Sequence, residues 1–158
     1  MTADTKLEPP QLDKTDRRIL AVLEEHPRAT VVMISEQTRL ARRTVQTRLE
    51  NLEAGGVLRP ASVRIDPASL GYRVNAHVSV ELDQRLINDT VTALRKIPEV
   101  TEVQAPAGET DLLVRTVARD EKDLYRVSEE IRLCPGVVRT RTSLYLRTLI
   151  DYRVDQLL

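Results

Sequence analysis

Between Gln37 and Leu49 the chain carries Arg39, Arg42, Arg43 and Arg48 and no acidic residue, although its formal net charge is zero. A guanidinium can fork onto O6 and N7 of guanine, and a Gln or Asn amide onto N6 and N7 of adenine. Each such pair is worth about 1–3 kcal/mol of discrimination in a DNA major groove. Gln46 lies among these arginines, and Thr44 and Thr47 add hydroxyls able to reach base edges or phosphates. Arg39, Arg42, Arg43, Thr44, Gln46, Thr47 and Arg48 are therefore the candidate DNA-binding residues. Arg48 has two readings, a phosphate contact or an ion pair with an acid on its own helix. The plainer alternative for the whole stretch is a solvated helix face, and only the surrounding pattern decides against it.

A second constellation is Gly108-Glu109-Thr110-Asp111. A glycine permits close backbone approach, free N–H groups beside it can hold a carboxylate, and Asp111 can accept from an α-ammonium. Gly108, Glu109, Thr110 and Asp111 would thus receive a zwitterion, with Thr140 and Thr142, and beside them Ser143, as polar neighbours from the last strand. The competing reading is a tight β-turn with Gly108 at positive φ and Asp111 bonding turn amides. His26 and His77 stand apart from any metal-ligand spacing, and no nucleophile–base motif or phosphate-cradling glycine loop is present. No catalysis, metal site or cofactor is expected, apart from an amino-acid effector.

The elements that must position these residues follow from periodicity and caps. Asp13 reads as the N-cap of a first helix, with Asp16 completing a capping box and Leu12 stapling the first turn. Ile19, Leu20 and Leu23 recur at helical spacing before Pro27 ends the element. Thr30 caps a second helix with Val31, Ile34 and Ser35 on its inner face. A turn at Arg39-Leu40 leads to a third helix running to about Ala54, its stripe Val45, Leu49 and Leu52 opposite the arginines. Gly55-Gly56 stops it, and Val57-Leu58-Arg59 and residues 62–65 read as a short wing and an extended linker. Beyond Asp66, strands are expected at 74–82, 100–107, 112–118 and 137–150, with helices at 84–97 and 121–134. The order βαββαβ is the ferredoxin-like arrangement, a four-stranded antiparallel sheet with both helices on one face. Its other face is left bare, and a second copy is expected to cover it.

Composition limits the remaining possibilities. The chain has 158 residues, 41% of them apolar, with no Phe or Trp, so any interior is aliphatic. Charge is balanced overall, so nucleic-acid affinity must come from a local patch. The single Cys134 excludes an intrachain disulfide and reads as a structural thiol. No apolar run reaches the roughly 18 residues of a membrane span, and the N-terminus lacks the apolar core of a signal peptide. A cytoplasmic protein without a membrane partner is expected.

The order and spacing of short motifs resemble the Lrp/AsnC, or feast/famine, family over nearly the whole chain after residue 11. These motifs are Leu12-Asp13 with Asp16 and Ile19-Leu20, Thr44-Val45 with Arg48-Leu49, Leu52-Glu53 with Gly56-Val57, Leu70-Gly71, Ile97-Pro98-Glu99-Val100, Gly108 with Asp111, and Pro135-Gly136-Val137. The resemblance implies a one-component transcription regulator whose dimers assemble into octamers or larger discs. It further implies an amino acid bound between dimers near the GxxD loop. Three residues depart from the family pattern: Arg39 stands where the turn glycine is usual, Ala41 where a Ser or Thr cap is usual, and Thr110 where an aromatic precedes the Asp.

The expected fold is thus α+β, with an N-terminal winged helix-turn-helix domain joined by an extended linker to a ferredoxin-like βαββαβ domain. Residues 1–11 form a disordered tail, 12–60 the DNA-binding domain, 61–73 the linker, and 74–158 the oligomerisation and effector-binding domain. The expected function is sequence-specific DNA binding by a multimeric regulator, with double-stranded DNA, further copies of itself (a dimer, then an octamer as a tetramer of dimers) and a small amino-acid-type ligand as partners. The alternative is a nucleoid-type architectural protein with little sequence preference and no effector.

Overall fold

A computed structural model describes residues 11–158, so the tail expected at 1–11 lies almost wholly outside the described residues. The chain divides into two compact units. One ends at Arg64 and also includes Ile150–Leu158, and the other spans Ile65–Leu149. The last nine residues therefore group with the first unit, whereas the sequence reading places them in the second domain.

In the first unit, α1 (Lys14–Glu25) starts where expected. The Asp13 carboxylate accepts from the backbone N–H of Thr15 at 2.7 Å and of Asp16 at 2.8 Å. Asp16 accepts in return from the Asp13 N–H at 3.1 Å, which closes a capping box with Asp in the place usually held by Glu or Gln. α2 (Val31–Thr38) is capped by Thr30, whose hydroxyl accepts from the Met33 N–H. α3 (Arg42–Ala54) begins at Ala41 without any side-chain cap and stops at Gly55. Ile19, Val22, Ile34 and Val45 form the core of the three helices, with Leu23, Ala29, Val31, Leu40 and Leu49 packed around them. Full burial of such side chains stabilises by roughly 1.5–3 kcal/mol each, enough to outweigh a weak cap.

Between Val57 and Arg73 the chain forms two 3-10 turns, Ala61–Arg64 and Pro67–Leu70, where a wing and an extended linker are expected. The second turn is set locally. The Asp66 carboxylate accepts from the Ala68 N–H at 3.0 Å, and Pro67 holds φ near its helical value at the first position.

The second unit contains β1 (Val74–Leu82), α4 (Ile87–Leu94), β2 (Val100–Gln104), β3 (Leu112–Ala118), α5 (Glu121–Arg132) and β4 (Val137–Leu144). The sheet order is β2-β3-β1-β4 and every neighbouring pair is antiparallel, the ferredoxin-like topology. Alternation along β1 buries Ala76, Val78, Val80 and Leu82. Val78, Val80 and Leu82 join Leu94, Ile97, Leu112, Val114, Val127 and Ile131 in the core.

Four elements are shorter than their sequence patterns. A 3-10 turn at Gln84–Leu86 precedes α4 because Asp83 accepts from the Arg85 N–H, and the helix ends three residues before Ile97, which Pro98 disfavours from helical geometry. β2 stops at Gln104, two residues before Pro106, which has no N–H to offer a ladder. α5 ends at Arg132, ahead of Pro135. β4 ends at Leu144 because its partner runs out: Leu144 lies opposite Ala76, and the Tyr145 N–H makes a last bond to Asn75.

The sheet face away from the helices is more polar than an aliphatic composition suggests. His77, Ser79 and Glu81 of β1 lie opposite Ser143, Arg141 and Arg139 of β4, with Arg115 of β3 opposite His77 on the other side. His77 stacks at 5.3 Å on Tyr145.

Candidate functional site

The turn between α2 and α3 decides how the arginines are presented. Arg39 takes φ 55 and ψ 32, the left-handed conformation that glycine adopts without strain. For a residue with a Cβ this costs roughly 1 kcal/mol. Two side chains brace the turn: the Arg18 guanidinium donates to the Thr38 carbonyl, and the Ser35 hydroxyl donates to the Leu40 carbonyl at 2.6 Å. Thr38, itself buried, returns its hydroxyl to the Ile34 carbonyl at 2.6 Å. The missing glycine and the missing cap at Ala41 are thus offset by bonds from α1 and α2.

Beyond that turn Arg42, Arg43, Thr44, Gln46 and Thr47 are all exposed, while Val45 between them is fully buried. Arg39, Arg42 and Arg43 make no ion pair among the described residues. Gln46 donates to Glu50 at 2.7 Å, one turn along the helix. Arg48 behaves differently. It donates to Asp13 at 2.6 Å and to Asp16 at 3.1 Å, so its acidic partners come from the α1 cap and not from its own helix. Hydrogen bonding to Asp13 raises the guanidinium's pKa above its ordinary value. The Asp13 carboxyl is held below its own, first by the Asp16 N–H.

The second candidate is an open cavity of about 390 Å³ on the sheet face away from the helices. It is lined by the loop from Pro106 to Thr110, by Ser79 and Glu81 of β1, and by Arg139, Thr140 and Arg141 of β4. Gly108 has a positive φ of 151. Asp111 is turned away into structural bonds, accepting from the Leu82 N–H at 2.8 Å and from the Gln84 amide at 2.6 Å. Thr110 donates to the Val80 carbonyl, and the Asp111 N–H bonds the same carbonyl, so the loop's end is sewn to β1. Thr140 lies in register with the buried Val80, and Thr142 with Val78; the Thr142 hydroxyl reaches Ser128 of α5 at 3.1 Å, behind the sheet. Ser79, Glu81, Pro106, Ala107, Arg139 and Arg141 line the cavity but are not among the residues expected from the sequence. Strand alternation is the available signal for the two arginines, because the odd-numbered positions of β4 share one face; of the two threonines, Thr140 still lines the cavity and Thr142 does not.

Among the described residues no group of His, Cys, Asp and Glu is placed to hold a metal ion, and no helix is long and apolar enough to cross a membrane. Burial raises the pKa of the Cys134 thiol, whose Sγ lies 3.4 Å from the Glu130 carbonyl.

One unit of three helices that presents exposed arginines, and a second, ferredoxin-like unit with an open polar cavity, define a helix-turn-helix regulator with a separate ligand-binding type of domain. Comparison with known proteins agrees. Residues 12–59 match the family model for winged helix-turn-helix DNA-binding domains, and residues 75–155 match that for the Lrp/AsnC ligand binding domain. The HTH-type transcriptional regulator FL11 of Pyrococcus horikoshii is 31% identical over 137 residues, covering 87% of this chain and 91% of the relative. A transcriptional regulator from Neisseria meningitidis, solved as a complex with L-Met, superposes with a TM-score of 0.78 at 30% identity, covering 94% of this chain and 100% of that one. The feast or famine regulatory protein from M. tuberculosis, complexed with L-methionine, gives a TM-score of 0.79 at 30% identity, covering 91% and 98%. The chain belongs to the Lrp/AsnC family of DNA-binding transcriptional regulators.

Proposed function

We propose that α3 reads a specific DNA sequence, with Arg42, Arg43, Thr44, Gln46 and Thr47 toward the bases and nearby phosphates and Arg39 toward phosphate. The observation that carries this reading is the set of exposed guanidinia at the N-terminal end of α3 that have no acidic partner among the described residues. Arg48 serves the same purpose indirectly, by holding α3 against the α1 cap. Further copies of the chain bring a second recognition helix into play. In a dimer the two helices meet successive major grooves about 34 Å apart and select a pseudo-palindromic site. The cavity beside Gly108 receives an amino-acid-type effector, a reading supported by the open polar lining and by the two related regulators solved with L-methionine. Binding of wild-type protein and an Arg42→Ala variant to selected and to random duplexes at one fixed salt concentration tests the DNA half. Equal affinity of the two proteins for the selected duplex removes α3 from the account.

A further inference from the structure

We infer that the effector is an acidic amino acid, an α-amino acid with a second carboxylate, held by Arg139, Arg141 and Glu81. This inference rests on the amino-acid-sensing reading above and assigns the chemistry of the same cavity.

Three charged side chains reach the cavity from strands, whose backbones fix their positions better than a loop would. Arg139 and Arg141 sit two residues apart on β4 and share one face, so their Cα atoms stand about 7 Å apart along the strand and both side chains line the cavity. Glu81 lies on β1 directly opposite Arg139. Opposite charges facing one another across an antiparallel pair ordinarily engage. Here Glu81, Arg139 and Arg141 form no ion pair among the described residues, which leaves all three groups available to a ligand. Two positive charges and one negative charge on rigid elements complement two carboxylates and one ammonium. The remaining lining fits that ligand. Among the described residues that line it, Pro106 and Ala107 are the only apolar side chains, so this chain offers a thioether or a branched aliphatic chain little apolar surface. Asp111 would otherwise be the natural partner for the ammonium, but it is spent on Leu82 and Gln84, and that role falls to Glu81. Glu109 also lines the cavity, but from an exposed loop tip, so the match is built on the three side chains that strands hold in place.

Isothermal titration of the full chain with L-glutamate, L-aspartate, L-methionine and L-lysine tests the assignment, with mass measured by light scattering for every protein used. Saturable binding of glutamate or aspartate is expected, weakened about tenfold or more by Arg139→Ala, Arg141→Ala or Glu81→Gln, since each removes a charge-assisted hydrogen bond. All three positions are exposed or at the rim, so the variants should keep the wild-type melting temperature; Arg141→Lys, which keeps the charge, should retain more affinity than Arg141→Ala. Binding of methionine or lysine without glutamate or aspartate overturns this inference and leaves amino-acid sensing intact. Binding of none of the four overturns both. Acidic ligands that bind the three variants as tightly as wild type place the site elsewhere.

Discussion

Arg48 of α3 donates to Asp13 at 2.6 Å, and Asp13 is the residue that caps α1. The helix that presents the arginine face is therefore tied to the start of another helix through two carboxylates, the shorter bond going to Asp13. The Asp13 carboxylate accepts from the Thr15 and Asp16 N–H groups, so the cap and the latch depend on each other. On the function proposed above, Arg48 acts through these bonds, by fixing the angle at which its neighbours meet DNA.

Replacing Arg48 with Ala should weaken DNA binding while leaving its salt dependence unchanged, because no phosphate contact is lost. Arg43→Ala, if Arg43 contacts phosphate, should lower the slope of log K against log salt by about one. Anisotropy titrations over a salt series distinguish the two, and a reduced slope for Arg48→Ala would show that it reaches the backbone after all.

Arg39→Gly should stabilise the DNA-binding unit by roughly 1 kcal/mol, since glycine adopts the left-handed conformation at position 39 without a Cβ penalty. The same change should weaken DNA binding through the loss of one cation. Chemical denaturation and a binding titration on one preparation measure both effects. A destabilised Arg39→Gly would show that the turn carries no strain.

The Asp13 carboxyl is held below its ordinary pKa by the Asp16 N–H and by Arg48. A depressed carboxyl contributes stability that is present above its unfolded pKa and is lost as pH falls through the folded value. Melting temperatures should therefore drop on acidification below about pH 4, and drop less in Asp13→Asn, which has no charge to lose. Parallel pH dependences in the two proteins would argue that other carboxylates dominate acid unfolding.

Thr142→Val removes a hydroxyl that bonds Ser128 behind the sheet, and should leave effector affinity unchanged. Asp111→Asn should act on stability first, by about 1–2 kcal/mol, because it disturbs the bonds to Leu82 and Gln84. Calorimetric titration of folded Thr142→Val that shows lost affinity would bring this threonine back into the site.

Much of this architecture is legible in the sequence because local signals agree with the packing. Asp13 and Asp16 announce the capping box, Thr30 caps α2, and the alternation in residues 74–82 and 112–118 gives two strands with their observed ends. The ends of β2 and β4 were not legible from alternation alone, since they depend on Pro106 and on where β1 begins. The partner of Arg48 was hidden for a different reason. Asp13 lies 35 residues away, and only packing of α1 against α3 brings them together. The cavity was half legible: the loop at Gly108 stands out, but Asp111 looks free until Leu82 and Gln84 are seen to occupy it. Residue type points to Thr140 and Thr142, and Thr140 does line the cavity, whereas Arg139 and Arg141 are legible only from the strand register that puts them on that face.

Whether α3 reads DNA sequence is tested by selection of binding sites from a random duplex pool, followed by titration of the selected duplex with wild type and with Arg42→Ala and Arg43→Ala at one salt concentration. A recognition role for α3 requires enrichment of a pseudo-palindrome with half-sites one helical turn, about 34 Å, apart. It also requires a loss of roughly tenfold to a hundredfold in specific affinity for each variant. No enriched sequence, or an enriched sequence bound equally well by both variants, would contradict it.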